Sequence, residues 1–153
     1  VQAPKMTDGS STLAISLFSE ILTVDQLLRN SLAKVLPKGM ELSHFAVLNQ
    51  LANIGTERTP AQLAKSFHVT RGAMTNTLAK LEMARYIHIR PDWEDARRKF
   101  VAISPAGQQA RTTALASVSP IISGLIDDIG SEKVKLILPI LRELRQRLEP
   151  LTE

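Results

Sequence analysis

Both ends of the chain carry long stripes of apolar residues at helical spacing, and these stripes constrain the fold more than any other feature. Near the N-terminus the stripe runs through Leu13, Leu17, Ile21, Val24, Leu28, Leu32 and Val35. Near the C-terminus a heptad-like stripe runs through Ile137, Leu141, Leu144, Leu148 and Leu151. A helix of about 25 residues is about 37 Å long, so such helices cannot all pack around one small domain. At least one stripe therefore predicts contact with a second chain, with an elongated monomeric bundle as the alternative.

Local signals mark where the helices begin. We expect one of residues 10–12 to cap the first helix and Ser43 to cap the second. Ser104 predicts the start of a long helix, because Pro105 follows it at the first helical position. Pro120 lies within that stretch and predicts a kink, unless the helix is broken there.

Positive charge is concentrated in the middle third of the chain. The sequence holds 19 Lys and Arg against 15 Asp and Glu, a net charge of +4. Eight of the cations but only four of the anions lie in residues 60–103, so this stretch carries the whole excess. A localised basic excess can attract a polyanion such as nucleic acid through counterion release, or it can be ordinary solvated surface.

Composition sets the expected compartment. The chain has no cysteine, which excludes disulfides and thiolate-ligated zinc within it and fits a reducing, cytoplasmic setting. Polar residues interrupt every apolar run before the roughly 20 positions that a bilayer requires, so no membrane contact is expected. The first five residues precede no secretory hydrophobic region.

Two closely spaced helices are predicted at the start of the basic stretch. Thr59 and Gln62 form a capping-box pattern, and the helix that follows is interrupted about two turns later at His68-Val69. Thr70 predicts the cap of the next helix. In that helix the apolar residues Met74, Leu78 and Leu81 share one face. Small or polar residues lie opposite or on the flanks: Gly72, Thr75, Asn76, Ala79 and Lys80. A recognition helix needs such a face to enter the roughly 12 Å major groove, although a solvated hairpin has the same pattern.

A β-hairpin is predicted directly after this helix pair. Tyr86–Arg90 alternates as an outgoing strand, and Lys99–Ile103 returns. Trp93, in the connection, is expected to pack against the hairpin's own strands, with a sugar-phosphate contact as the alternative. Asp95 is placed to pair with Arg97 or a backbone amide and so fix the tip. This order of elements is winged-helix organisation, whose tip can reach a minor groove.

The order and spacing of these residues resemble the multiple-antibiotic-resistance regulator (MarR) family of bacterial winged-helix transcription factors. The resemblance covers the chain from about Leu13 to Leu148. Its most specific pieces are Leu42-Ser43 with Val47-Leu48, Thr59-Pro60-Ala61-Gln62-Leu63-Ala64, Val69-Thr70-Arg71, Leu78-Ala79-Lys80-Leu81-Glu82, Tyr86-Ile87, Asp95-Ala96-Arg97 and Ile103-Ser104-Pro105-Ala106-Gly107.

This resemblance implies a mainly α fold with a small β-hairpin wing, an α+β class. Residues 1–153 would form one MarR-like chain, with a winged helix-turn-helix DNA-binding region at 41–104 and dimerisation arms at 11–37 and 105–150. It implies a homodimer that binds a pseudo-palindromic operator in double-stranded DNA. We expect a repressor rather than an activator, released by a small aromatic or phenolic effector, with no cofactor.

The resemblance also assigns residues to roles. The DNA-binding residues would be Thr70, Arg71, Thr75, Asn76, Lys80, Arg97, Arg98 and Lys99, with Arg97 in the minor groove. The effector would contact His44, Phe45 and Leu48. The dimerisation residues would be Leu17, Ile21, Ile137, Leu141, Leu144 and Leu148.

Two positions depart from the family pattern. Position 76, often basic in the family, is Asn, whose amide can read adenine through two hydrogen bonds. Position 85, usually Gly at the helix end, is Arg. Because a non-glycine residue in the left-handed conformation is strained, we expect the turn there to be built differently.

Other functions find less support in the residues. His44, His68 and His88 are far apart in sequence, and no metal site is expected. The chain has no phosphate-binding glycine loop and no catalytic Ser/His/Asp or Cys/His pattern, so it is not expected to be an enzyme. The main alternative is a winged helix that binds an acidic protein partner through its basic face. A weaker alternative is a small enzyme that uses the interdomain cavity.

Overall fold

The computed structural model describes residues 8–151, which are mainly helical and carry one β-hairpin. The helices are α1 (Asp8–Val35), α2 (Leu42–Ile54), α3 (Pro60–Ser66), α4 (Arg71–Met83), α5 (Pro105–Ile129) and α6 (Ser131–Leu148). The antiparallel strands are β1 (Ile87–Pro91) and β2 (Lys99–Ile103). The predicted fold class is therefore confirmed, while the first five residues lie outside the described range. The chain forms two compact units, divided between Ala114 and Leu115 inside α5.

An apolar core in the first unit holds α2, α3, α4 and the hairpin together. Its buried residues are Val47, Leu48, Leu51, Leu63, Ala64, Met74, Leu78, Leu81, Ile87 and Val101. Met74, Leu78 and Leu81 are the apolar face predicted for α4, and their spacing of four and three residues turns the opposite face of this helix to solvent.

Three helices begin where the sequence predicts. At α3 the Gln62 N–H donates to Thr59 Oγ1 (3.1 Å) and the Thr59 N–H donates to Gln62 Oε1 (3.0 Å). At α4 the Ala73 N–H donates to Thr70 Oγ1 (3.1 Å). At α5 the Gly107 N–H donates to Ser104 Oγ (3.0 Å), and the helix then runs through Pro120 without a break.

Two predicted caps are wrong. The N-cap of α2 is Glu41, not Ser43, because His44 at the third helical position supplies a reciprocal acceptor: the Glu41 N–H donates to His44 Nδ1 (3.0 Å). Helix α1 begins at Asp8, so residues 10–12 lie within it rather than before it. Serine and threonine cost a helix only a few tenths of a kcal/mol each, which lets the turn extend through them.

The turn after α4 also differs from prediction. Arg85 has a φ of 63°, so it adopts the left-handed conformation that glycine usually supplies. The Arg85 N–H donates to Glu82 O (2.9 Å) and the Tyr86 N–H to Leu81 O (3.0 Å), which is a Schellman motif. The Ser104 hydroxyl donates to Arg85 O (2.7 Å), so tertiary contacts hold the strained residue in place.

The hairpin pairs in a continuous register from Ile87 with Ile103 to Pro91 with Lys99. Arg58, in the connection between α2 and α3, adds a bridge to Val101 at the outer edge of β2. The Arg58 N–H donates to Val101 O (3.0 Å) and the Val101 N–H to Arg58 O (2.7 Å). These bonds fix the wing to the segment that leads into α3.

Within the described residues, one helix is long and apolar enough to cross a membrane. An 18-residue window within Gly9–Val35 of α1 has a mean hydropathy of 1.2. This corrects the expectation that no segment reaches such a length, because the scattered polar residues do not lower the average enough. Asp25 and Arg29 form an ion pair on this helix (2.9 Å). The same composition also suits a helix that packs against another protein chain.

Candidate nucleic-acid interface

Helices α3 and α4 are joined by a tight turn that exposes the outer face of α4. His68 takes a left-handed φ of 52°. The His68 N–H donates to Lys65 O (3.2 Å) and the Val69 N–H to Ala64 O (3.1 Å), so α3 ends abruptly. With the inner face of α4 buried, Gly72, Asn76 and Ala79 are exposed on the opposite side. The pair thus has the arrangement of a helix-turn-helix with a narrow reading face.

One cleft brings together side chains from α4 and from the wing. It has a volume of about 270 Å³, and the α4 residues Arg71 and Thr75 line it. Arg97, Arg98 and Lys99 of the wing also line it, together with residues 59–61 at the start of α3. Four cations therefore surround a single opening. The capping signals predicted where α3 starts, but nothing in the sequence indicated that residues 59–61 line this cleft.

The wing tip holds Arg97 in a defined position. Asp95 Oδ1 accepts hydrogen bonds from the Arg97 backbone N–H (3.0 Å) and from Arg97 Nε (3.1 Å), so both predicted partners of Asp95 are confirmed. These bonds lower the pKa of the Asp95 carboxyl, chiefly through the Arg97 side chain, so it stays charged in more acidic solution than a free aspartate. The Arg97 side chain is 91% exposed even though it pairs with Asp95, so its guanidinium is accessible to a ligand.

Other arginines of the basic stretch are engaged in structure. Arg90 donates to both carboxylate oxygens of Glu57 (2.9 and 2.6 Å), and these bonds lower the pKa of Glu57. The guanidinium groups of Arg90 and Arg98 lie over the Phe100 ring, 4.8 and 5.7 Å from its centre. Sequence reasoning missed the Glu57–Arg90 pair because its members are 33 positions apart and no local signal links them.

Three of the predicted DNA-binding residues lie outside the cleft. Thr70 uses its hydroxyl oxygen to cap α4. Asn76 lines a different groove, on the other flank of α4. Lys80 lies near the end of α4, where its Nζ pairs with Glu41 at 3.6 Å and both side chains are more than half exposed. The cleft is therefore one part of the surface that α4 presents, and Asn76 and Lys80 belong to another part.

The residues predicted to contact an effector do not share one cavity. His44 lines a cavity of about 440 Å³ with the α1–α2 connection and the end of α4. Phe45 lines a separate groove of about 930 Å³ that is bounded by α2, α4 and Arg29 of α1. Leu48 is fully buried in the core and lines neither.

His44 is buried in a way that affects its charge. Its Nδ1 accepts the Glu41 N–H, so the neutral ring carries its proton on Nε2, which is buried with no hydrogen-bond partner among the described residues. Burial lowers the pKa of His44 below its usual value of 6.5; nearby Glu41 opposes this shift and Lys80 adds to it. The ring is therefore neutral at pH 7.

We expect His44 to make the fold less stable in mild acid. As the pH falls below 6.5, the unfolded chain binds a proton at this position before the folded chain does, so the free energy of unfolding decreases. His44→Gln keeps an acceptor for the Glu41 N–H but cannot titrate. Urea unfolding from pH 7.5 to 5 at fixed protein concentration should therefore show a smaller acid loss in the variant. Equal losses in both proteins would exclude His44 as the cause.

Trp93 is the clearest disagreement with prediction at the wing. Its side chain is 80% exposed, so the expected packing against the hairpin strands is wrong. The strands are short, and the aromatic ring of Phe100 is already covered by Arg90 and Arg98. The tip folds through its own hydrogen bonds and leaves the indole outside.

The fold and the cationic cleft define a winged helix-turn-helix protein. The model of the MarR family matches residues 38–98, which span the helix-turn-helix and most of the wing. The resemblance to this family predicted from the sequence is thereby confirmed.

Solved structures extend the similarity of fold to nearly the whole chain. The transcriptional regulator BldR from Sulfolobus solfataricus is 24% identical with a TM-score of 0.78, and the match covers 93% of this chain and 99% of BldR. Sco3205 from Streptomyces coelicolor, a MarR family regulator in complex with DNA, is 21% identical with a TM-score of 0.81, covering 97% and 93%. The organohalide-sensing regulator RdhR-CbdbA1625, bound to 2,4-dichlorophenol, is 19% identical with a TM-score of 0.84, covering 99% and 92%.

All three structures are of transcriptional regulators. No curated protein sequence matches the chain.

Proposed function

We propose that two copies of this chain bind a pseudo-palindromic operator in double-stranded DNA and repress transcription. The observation that carries this proposal is the cleft in which Arg71 and Thr75 of α4 meet the wing residues Arg97, Arg98 and Lys99. A recognition helix and a cationic wing that face the same opening can hold the phosphate backbone between a major and a minor groove. The likeness of fold to Sco3205, which is in complex with DNA, supports the same function.

The exposed residues divide into base-reading and backbone-binding groups. Asn76, at the centre of the outer face of α4, reads a base edge in the major groove. Arg71 and Thr75 contact bases or phosphates at the edge of that groove, while Lys80, Arg98 and Lys99 contribute mainly charge. Arg97 enters the minor groove, where negative potential favours a guanidinium. Thr70 acts by fixing the start of α4.

The apolar surface of the terminal helices supports a dimer. On α1, Leu13 is 73% exposed and Leu17 is 50% exposed, and Ile21 is partly exposed beside them. On α6, the heptad-like residues Ile137, Leu141 and Leu148 are also exposed, with Leu144 half-buried between them. Large contiguous apolar surfaces on single chains mark interfaces with other proteins or membranes. We assign both surfaces to a second copy, because a heptad-like stripe on α6 is the pattern that a partner helix packs against.

Dimerisation sets the spacing between the two recognition helices, one α4 from each copy. A two-fold dimer meets two half-sites about 34–36 Å apart, one turn of the double helix, and both recognition helices then enter major grooves on one side of the DNA. An effector that binds more tightly to a dimer of different spacing weakens DNA binding. The free energy of DNA binding is reduced by at most the difference between the effector's binding free energies for the two dimer forms.

We place the effector in the groove of about 930 Å³ beside Phe45. That groove is lined by Phe45 and Ala46 of α2 and by Met74 and Asn76 of α4, so an occupant would touch the reading helix directly. The apolar lining suits an aromatic or phenolic molecule, and RdhR-CbdbA1625, similar in fold, binds 2,4-dichlorophenol. His44 and Leu48 do not line this groove; they lie on the same helix as Phe45 and would not touch the effector.

A protein-interaction module is the second candidate, because the cationic cleft could also hold an acidic peptide. Selection of bound fragments from random double-stranded DNA separates the two functions. We expect a palindromic consensus whose two halves are about ten base pairs apart, centre to centre. A pool with no enriched sequence, together with weak binding that disappears at moderate salt, would contradict sequence-specific regulation.

Asn76→Ala should change which sequence is bound more than how tightly DNA is bound overall. Loss of a bidentate contact to adenine should cost about 1–3 kcal/mol in discrimination at one position of each half-site, while affinity for unrelated DNA stays the same. Met83→Ala is a matched control, since Met83 is 85% exposed seven residues along the same helix and offers no such amide. Competition titrations with single-base operator variants provide the measurement. An equal loss for all sequences would exclude direct readout by Asn76.

A further inference from the structure

We infer that Trp93 is a DNA-contacting residue that positions the wing tip on the sugar-phosphate backbone, an inference that rests on the proposed DNA-binding function. Trp93 is the only tryptophan of the chain, and it is 80% exposed at the turn between β1 and β2. Indole rings normally bury most of their large apolar surface in a core or an interface. An indole left in solvent at the end of a DNA-binding element is therefore available to a partner.

The backbone on either side of Trp93 is fixed. The Asp92 N–H donates to Arg98 O (3.0 Å), which closes the base of the tip. The Glu94 N–H donates to Asp92 Oδ1 (2.9 Å), and the Arg98 N–H donates to Asp95 O (3.0 Å). Because these bonds already order the turn, binding through the indole costs little further backbone entropy.

The surroundings of Trp93 favour DNA as the partner. Arg97, four residues further along the same turn, is 91% exposed and is the side chain proposed to enter the minor groove. The carboxylates of Asp92 and Asp95 each accept a backbone N–H, and they pair with Arg98 (4.0 Å) and Arg97 (3.1 Å), so the charge of these two is compensated within the tip. Glu94, the next residue after Trp93, is exposed and is the acidic group that a phosphate contact has to avoid. An indole offers an apolar face to a deoxyribose and an Nε1–H to a phosphate oxygen.

Such a contact adds affinity without adding sequence preference. Deoxyribose and phosphate are the same at every base pair, so a side chain that touches only them cannot distinguish sequences directly. Trp93 then acts as a positioning residue, since it fixes the depth at which Arg97 meets the minor groove.

Intrinsic fluorescence tests this inference directly, because the single indole reports only on position 93. Titration of the full chain with the operator recovered by selection should shift or quench the Trp93 emission. The midpoint should match that given by the anisotropy of labelled DNA. Saturated anisotropy with unchanged emission would overturn the inference and leave the DNA-binding function standing. Absence of both signals would overturn both. An emission shift that follows protein concentration without DNA would show that a second copy covers the ring, and would also overturn it.

Substitutions give a second measurement. Trp93→Ala should weaken binding about tenfold for operator and unrelated DNA alike, and Trp93→Phe should weaken it less. His88→Ala, an exposed position on β1 away from the tip, is the matched control and should bind like the unmodified protein. Unchanged affinity in Trp93→Ala, or a loss confined to the operator, would contradict a backbone contact.

Discussion

Replacing Leu141 by glutamate should separate the two copies and abolish tight operator binding. Leu141 lies in the heptad-like stripe of α6 and is 44% exposed in the single chain. A carboxylate buried there without a partner costs about 3–5 kcal/mol, and a two-fold interface carries the change twice. We therefore expect the dimer dissociation constant to rise at least about a thousandfold, measured by sedimentation equilibrium.

A matched control separates loss of the interface from loss of the fold. Arg142→Glu introduces the same side chain one residue later, on the polar face of α6, and should leave the dimer intact. Circular dichroism should show that the winged-helix unit is still folded in Leu141→Glu, because the core of that unit lies outside α6. A variant that stays dimeric, or an unmodified chain that sediments as a monomer, would remove the assignment of this stripe to a second copy.

Arg97→Ala should produce the second large effect, on operator affinity and on its salt dependence. Each half-site loses one cation from the minor groove, so we expect affinity to fall about a hundredfold for the dimer. The slope of log K against log salt should become shallower by about two, one contact for each copy. The measurement is a series of operator titrations at several salt concentrations.

Two comparisons make the Arg97 result specific. The Arg97–Asp95 pair is exposed, and such pairs add little to stability, so thermal unfolding should be unchanged. Arg142→Ala removes an exposed cation from α6 and should alter neither the affinity nor the slope. Full affinity in Arg97→Ala at every salt concentration would show that the wing does not enter the groove.

The winged helix was predictable because its signals are local. The Thr59 and Thr70 caps, the Ser104-Pro105 helix start and the spacing of Met74, Leu78 and Leu81 each need only a few neighbouring residues. The hairpin follows from alternation within two five-residue segments. These short-range rules fix which face of α4 is exposed, and hence where a reading surface can lie.

The features that were not predicted depend on contacts between distant residues. Arg85 tolerates a left-handed turn because Ser104, 19 positions away, bonds its carbonyl oxygen. Glu57 and Arg90 pair across 33 positions. The N-cap of α2 is Glu41 rather than Ser43, because the His44 ring accepts a hydrogen bond from the Glu41 N–H. In each case the local sequence allows more than one turn, ion pair or cap, and contacts in the folded chain determine which one forms.

The candidate site shows the same division. The family resemblance named Arg71, Thr75 and Arg97 as DNA-binding residues, and the structure brings these three to one cleft. It could not indicate that Asn76 lines another groove, that Lys80 pairs with Glu41, or that Trp93 stays in solvent. Side-chain direction on a helix and the folding of a hairpin tip depend on geometry that residue order alone does not specify.

The central claim is that two copies hold their reading helices one turn of DNA apart, and the spacing of half-sites tests it most directly. Operators recovered by selection would be rebuilt with one to five base pairs inserted or removed between the halves. We predict the tightest binding near ten base pairs, centre to centre, and a steep loss when the spacing changes by two or more. Equal binding at every spacing, or a single half-site bound as tightly as the full operator, would contradict the claim.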